Sequence, residues 1–111
     1  MNSGKYLKDE TYKITFTSSG LTAEQTAELT VGTKFKTESG VVFGTLTEGY
    51  WTEPEKNPDT FTLTAAVVCS GIVNETGFLS DGELYRKGDT VKIEGGKLSL
   101  NVTVTGFEKS E

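Results

Sequence analysis

The chain has no histidine, one cysteine, two prolines, one tryptophan and one methionine in 111 residues. Without histidine there is no Ser-His-Asp or Cys-His nucleophile system, no histidine general base, and none of the usual catalytic zinc sites. A lone Cys69 excludes an intrachain disulfide framework. No apolar run approaches the roughly 20 residues of a membrane-spanning helix, and Met1–Tyr12 lacks the apolar centre of a signal peptide. Positive charge is also scarce: 11 Lys and Arg against 16 Asp and Glu leave a net charge of −5. That balance argues against a grip on nucleic-acid phosphates and against polybasic membrane binding. The expected chain is made in a cytoplasm, with no nucleic-acid or membrane partner.

What is present is threonine and glycine, 18 and 13 residues respectively. Threonine favours strands and glycine punctuates them. Tyr12–Thr17 alternates, with Tyr12, Ile14 and Phe16 on one face, and Ser18-Ser19-Gly20 is expected to end that strand. Thr22–Leu29 is the one helical candidate, short, with Thr22 and Gln25 spaced as a capping box. Leu29–Lys36 alternates again. Val41–Thr47 carries hydrophobics on both faces, which predicts a central, doubly covered strand. Glu48–Asp59, with both prolines, reads as a loop. Thr60–Ser70 begins in alternation and ends in a small-apolar run; Gly71 is expected to break it or to mark a bulge.

Asn74–Asp89 is turn-rich, and Phe78, Leu79, Leu84 and Tyr85 are expected to tuck inward. Val91–Ile93 and Leu98–Thr105 are strands joined by the turn at Glu94-Gly-Gly-Lys97. Gly106 shifts the phase of the last strand before Phe107. The sum is a mostly β, single-domain barrel or sandwich of about seven short strands with at most one short helix. Residues 1–11 read as a flexible arm, with Tyr6 and Leu7 as its large apolar residues, and residues 12–111 as the β domain.

The candidate chemistry is thin. Glu53, Glu55 and Asp59 share one loop, but prolines and a lysine interrupt them and no calcium-loop spacing appears. No carboxylate sits in an apolar run that would raise its pKa for acid catalysis. Cys69 reads as packing, since nothing basic adjoins it. Gly95-Gly96-Lys97 lacks the phosphate-loop spacing. Asn74-Glu-Thr76 and Asn101-Val-Thr103 match a glycosylation sequon, which matters only in a secretory pathway. The reading is therefore non-enzymatic, with no catalytic residue, metal or cofactor. Tyr50 and Trp51 are the exception. Adjacent aromatics point to opposite sides, so one of them is available as an interface anchor or a platform for a sugar ring.

One resemblance bears on the partner. Gly44-Thr-Leu46-Thr-Glu48, a variable loop, then Ala65-Ala-Val-Val-Cys-Ser-Gly-Ile-Val-Asn74-Glu75 and Leu79 resemble tailed-phage head-decoration and head-fibre proteins. Leu29–Phe35 has the shape of the strand that precedes this pattern. The resemblance covers about residues 29–80; the aromatic loop at 49–59 and the hairpin after Tyr85 depart from it. It implies a β protein on the outer surface of the expanded capsid in the virion. Such a protein binds the major capsid protein, often as a homo-trimer, and stiffens the shell. On that reading Tyr6, Leu7 and Tyr12 form a capsid-binding arm, adding a strand to a capsid edge, and Tyr50 and Trp51 a contact loop. The alternative is an immunoglobulin-like or carbohydrate-binding adhesion module, for which threonine-rich alternating strands serve equally well.

Overall fold

The computed structural model describes residues 10–57, 59–80 and 82–109. It contains nine strands and one helix: β1 (Glu10–Thr22), α1 (Ala23–Ala27), β2 (Lys34–Thr37), β3 (Val42–Leu46), β4 (Trp51–Pro54), β5 (Thr60–Asn74), β6 (Gly77–Ser80), β7 (Glu83–Tyr85), β8 (Thr90–Gly95) and β9 (Leu98–Lys109). Six of them form a closed antiparallel barrel in the order β1-β9-β8-β2-β3-β5, shut by pairing of β1 with β5. Closure leaves the wall without a free edge and fills its inside with side chains.

The closing seam is long. β1 runs against β5 from Glu10↔Gly71 to Thr22↔Thr60. Alternation along these strands does what period two requires. Ile14 and Phe16 of β1, Leu63, Ala65 and Val67 of β5, and Leu98, Leu100, Val102 and Val104 of β9 are all buried. Phe35, Phe43, Leu46 and Ile93 join them, and Leu21, Leu29, Phe78 and Tyr85 extend the core toward the barrel ends. Ser18 is the one buried polar residue on this seam, and its hydroxyl donates to the Asn101 carbonyl at 2.7 Å. The bond satisfies a group that would otherwise be costly to desolvate.

Three bulges adjust the wall. Ser19 and Gly20 together oppose one residue of β5, so Ser18-Ser19-Gly20 bends β1 and does not end it. Thr105 is an extra residue opposite Thr15 and Phe16, which is the phase shift expected at Gly106. Phe43 is extra opposite Phe35 and Lys36. This last bulge explains the mixed pattern of β3. Phe43 and Leu46 both reach the interior while Val42 is exposed, so β3 is not covered on both faces. The run at Ala65–Ser70 is corrected in the same way: Ala65 and Val67 are buried, whereas Ala66 and Val68 are only half-buried.

The two barrel ends are closed differently. At one end Thr22 caps α1. Its hydroxyl accepts the Gln25 N–H at 3.1 Å while the Gln25 side chain accepts the Thr22 N–H at 2.9 Å, the reciprocal pair the spacing predicts. Leu21 and Leu29 are buried there. Leu29 to Thr33 is not strand; only Lys34–Thr37 pairs. At the other end β5 continues straight through Gly71 and turns back as β6 and β7. Gly71 is no break. A Cβ there would lie 2.5 Å from the Phe78 ring and from the Leu79 carbonyl oxygen, so the strand needs glycine for close approach. A chain of ring contacts then plugs this end. Phe16 meets Phe43, Phe43 meets Tyr85, Tyr85 meets Phe78, and Phe78 meets Tyr12 and Phe107, at centroid distances of 5.4–6.4 Å. Contacts of this geometry add about 0.5–1.5 kcal/mol per pair beyond area burial.

The expected count of about seven strands rises to nine. Residues 48–59 hold β4, paired with β5 from Trp51↔Thr64 to Pro54↔Phe61, and 74–89 holds β6 and β7. β4 escapes a composition reading because Pro54 ends it and its residues are all exposed.

Candidate functional site

Tyr6 and Leu7 lie outside the described residues. Glu10 and Thr11 already belong to β1, so the barrel wall starts before the boundary expected at residue 12. Tyr12 pairs with Cys69 on one side and Lys109 on the other, and its half-buried ring packs on Phe78. It is therefore a wall residue and not part of a free arm. The Glu10 carboxylate meets the Lys109 ammonium at 3.1 Å beside it.

Tyr50 and Trp51 divide as adjacent residues must. Tyr50 packs on the core and its hydroxyl donates to the Leu29 carbonyl at 3.3 Å. Trp51 faces out with 53% of its surface exposed, and its indole N–H donates to a Glu53 carboxylate oxygen at 3.1 Å. That bond ties the indole to the side chain two residues on, which shares its face of β4. Trp51 forms part of the wall of a groove of about 270 Å³ on the outside of the barrel. Ala66, Thr15 and Thr64 also line it, together with one cation, Lys13, and one anion, Glu48.

The threonines continue beyond the groove. Trp51 pairs with Thr64, Thr64 with Thr17, Thr17 with Thr103, and Thr103 with Thr90. Directly paired residues share a face, so one tryptophan and four threonines form a single row across five strands of the outer wall. This row is invisible from composition because it depends on registers between strands far apart in sequence.

No protein-family model, curated protein or solved structure matches this chain. The head-decoration resemblance thus rests on the residues that carry it, and the fold gives several of them a packing role. A Cβ on Gly44 would lie 2.6 Å from a Val67 methyl. Gly71 faces the Phe78 ring, and the Asn74 side chain accepts from the Thr76 hydroxyl and from the Thr76 and Gly77 N–H groups to shape the β5–β6 turn.

The acidic loop is structural as well. Glu55 accepts the Thr62 hydroxyl at 2.6 Å, the Gly20 N–H at 3.0 Å and the Thr60 hydroxyl at 2.7 Å. These bonds, that from Thr62 foremost, hold its carboxyl below the ordinary glutamate pKa. Glu55 thereby clips the β1 bulge to the β4–β5 hairpin. Among the described residues no three His, Cys, Asp or Glu side chains gather as a metal site. Cys69 is half-buried, 3.2 Å from the Ser80 hydroxyl.

A second surface was missed by sequence reasoning. Phe78 and Tyr85 are buried as expected, but Leu79 and Leu84 are 38% and 40% exposed. Ile72 pairs with Leu79 and Leu79 with Leu84, so the three form an apolar row on the outer face of the β5–β6–β7 extension. The signal was available. Phe78-Leu79 and Leu84-Tyr85 are neighbours in short strands, and neighbours in a strand cannot both point inward.

Proposed function

We propose that this protein is a non-catalytic capsid-decoration module of the tailed-phage type, one that binds the outer surface of a major capsid protein lattice as a trimer. The observation that carries the reading is the Ile72–Leu79–Leu84 row. It lies on a small extension whose opposite face is anchored in the barrel by Phe78 and Tyr85. A rigid body with an apolar row on a projecting, firmly seated strand pair suits docking on a repeated surface. Each contact there is weak, and many copies hold the layer in place. The resemblance over residues 29–80 supplies the class of partner, and the row falls partly within it.

The test is co-sedimentation with expanded and unexpanded phage heads. Saturable binding to expanded heads, lost in the double variant Leu79→Ser with Leu84→Ser, is the expected result. Binding to neither form would end the decoration reading. A truncation that probes the proposed arm must stop before Glu10, because removing Glu10 and Thr11 would strip two pairs from the barrel seam. Loss of head binding on deletion of residues 1–9, with thermal stability retained, is expected if Tyr6 and Leu7 reach the capsid.

A further inference from the structure

We infer that the groove beside Trp51 is a binding site for a neutral oligosaccharide. Its chemistry selects that class by elimination. A purely apolar ligand would strip water from Lys13, Glu48 and the threonine hydroxyls without replacing it. A strongly charged ligand would satisfy one of Lys13 and Glu48 and repel the other, whereas the pair together is neutral. An extended peptide adding a strand needs free backbone donors and acceptors. The strands that floor the groove offer none, since Thr64 is already paired with Thr17 and Trp51, and Thr15 with Ala66 and Gly106; β4, paired here with β5 alone, presents a second edge of only four residues ending at Pro54. What remains is a molecule with an apolar C–H face and a rim of hydroxyls.

A pyranose ring has both. Its polarised C–H bonds meet the electron-rich face of an indole, and Trp51 offers that surface, with its N–H held by Glu53 and its ring about half exposed. Its hydroxyls can donate to the Glu48 carboxylate and accept from the Lys13 ammonium, with the Thr64 hydroxyl serving either way. The Thr15 hydroxyl already donates to the Gly106 carbonyl and accepts from the Thr105 hydroxyl, so it contributes shape and not a donor. Small Ala66 in the lining leaves room for the ring. The groove, at about 270 Å³, suits one or two sugar units, and the row Thr64–Thr17–Thr103–Thr90 leads away from it along the wall. At the usual strand spacing of about 4.8 Å, Thr17 stands roughly 10 Å along the row from Trp51 before the closed wall curves away, which leaves room for an oligosaccharide beyond a single ring. This site is on a different face pattern from Leu79 and Leu84 and does not depend on capsid binding.

Trp51 is the chain's only tryptophan, so its fluorescence reports on the groove alone. The purified protein would be titrated with maltotetraose, cellotetraose and chitotetraose, and the affinities repeated by calorimetry on variants. The expected result is a saturable fluorescence change with at least one of the three. Trp51→Ala should then weaken binding by about tenfold or more, equal to about 1.4 kcal/mol. Thr64→Val, which keeps the shape and strand propensity but removes the hydroxyl, should weaken it by about threefold, and Leu84→Ser should leave it unchanged. Circular dichroism would confirm that each variant is folded. No saturable change with any of the three tetrasaccharides would overturn the inference, as would binding that survives Trp51→Ala undiminished.

Discussion

The closed barrel and the β5–β6–β7 extension are built from the same alternating pattern, yet they treat their outer faces in opposite ways. On the barrel, outward positions are mainly threonine, lysine and glutamate, as in the row from Thr64 to Thr90. On the extension, outward positions are Ile72, Leu79 and Leu84. The inner faces of both are mainly apolar and buried, with Val73, which shares a face with Phe78 and Tyr85, left 38% exposed. The barrel thus satisfies itself, while the extension spends apolar surface on water. The difference teaches where stability ends and recognition begins: one residue set is held by the chain's own packing, and the other contributes to the fold only through the strand pairs beneath it.

That contrast can be broken or sharpened by substitution. The largest effect belongs to the inner face. Phe43→Ala removes a fully buried ring that touches both Phe16 and Tyr85 and should cost about 3–5 kcal/mol in a urea titration. Next comes the joint between the two regions. Gly71→Ala places a methyl group against the Phe78 ring and should cost about 1–3 kcal/mol; a cost as large as that of Phe43→Ala would mean that the extension and barrel unfold as one packed unit. Ser18→Ala leaves the Asn101 carbonyl without its partner inside the wall and should cost about 1 kcal/mol in the same titration.

Glu55 tests the clip at the opposite end. Its folded pKa is depressed, so the stability it contributes is present above the unfolded glutamate value and is lost as pH falls through the folded one. The melting-temperature difference between the protein and Glu55→Gln should therefore be greatest near neutrality and shrink on acidification below about pH 4.3, the unperturbed glutamate value. A gap that stays constant down to pH 3 would assign the clip's effect to shape and not to charge. The smallest effect is expected on the outer row, where Leu79→Ser should change stability by no more than about 0.5 kcal/mol. A loss above that figure would show that the row packs within the chain.

Much of the barrel was legible in the residues. β8 follows strict alternation and β1 and β9 follow it up to their bulges, the capping box at Thr22 and Gln25 forms as spaced, and Gly106 marks a true bulge. β4 was hidden because it borrows its order from β5 and carries no buried residue of its own. Closure was not legible either, because it depends on Glu10 meeting Gly71, a pairing that no local pattern encodes. The candidate groove shows the same division. The divergence of Tyr50 and Trp51 follows from chain geometry, whereas Lys13, Glu48 and Thr64 converge only once three distant segments are in register.

The position of β9 has a consequence for biosynthesis. It pairs with β1 on one side and β8 on the other. A growing chain therefore has every other strand of the barrel outside the ribosome before the segment that fits between β1 and β8 arrives. Until Leu98–Lys109 emerges, both of those strands offer unpaired edges to other chains. The β1–β5 seam, with its wide sequence separation, is also slow to form. In the cell, the risk of misassembly is concentrated in the seconds before this last hairpin seats, and a chain interrupted upstream of Leu98 is a template for aggregation.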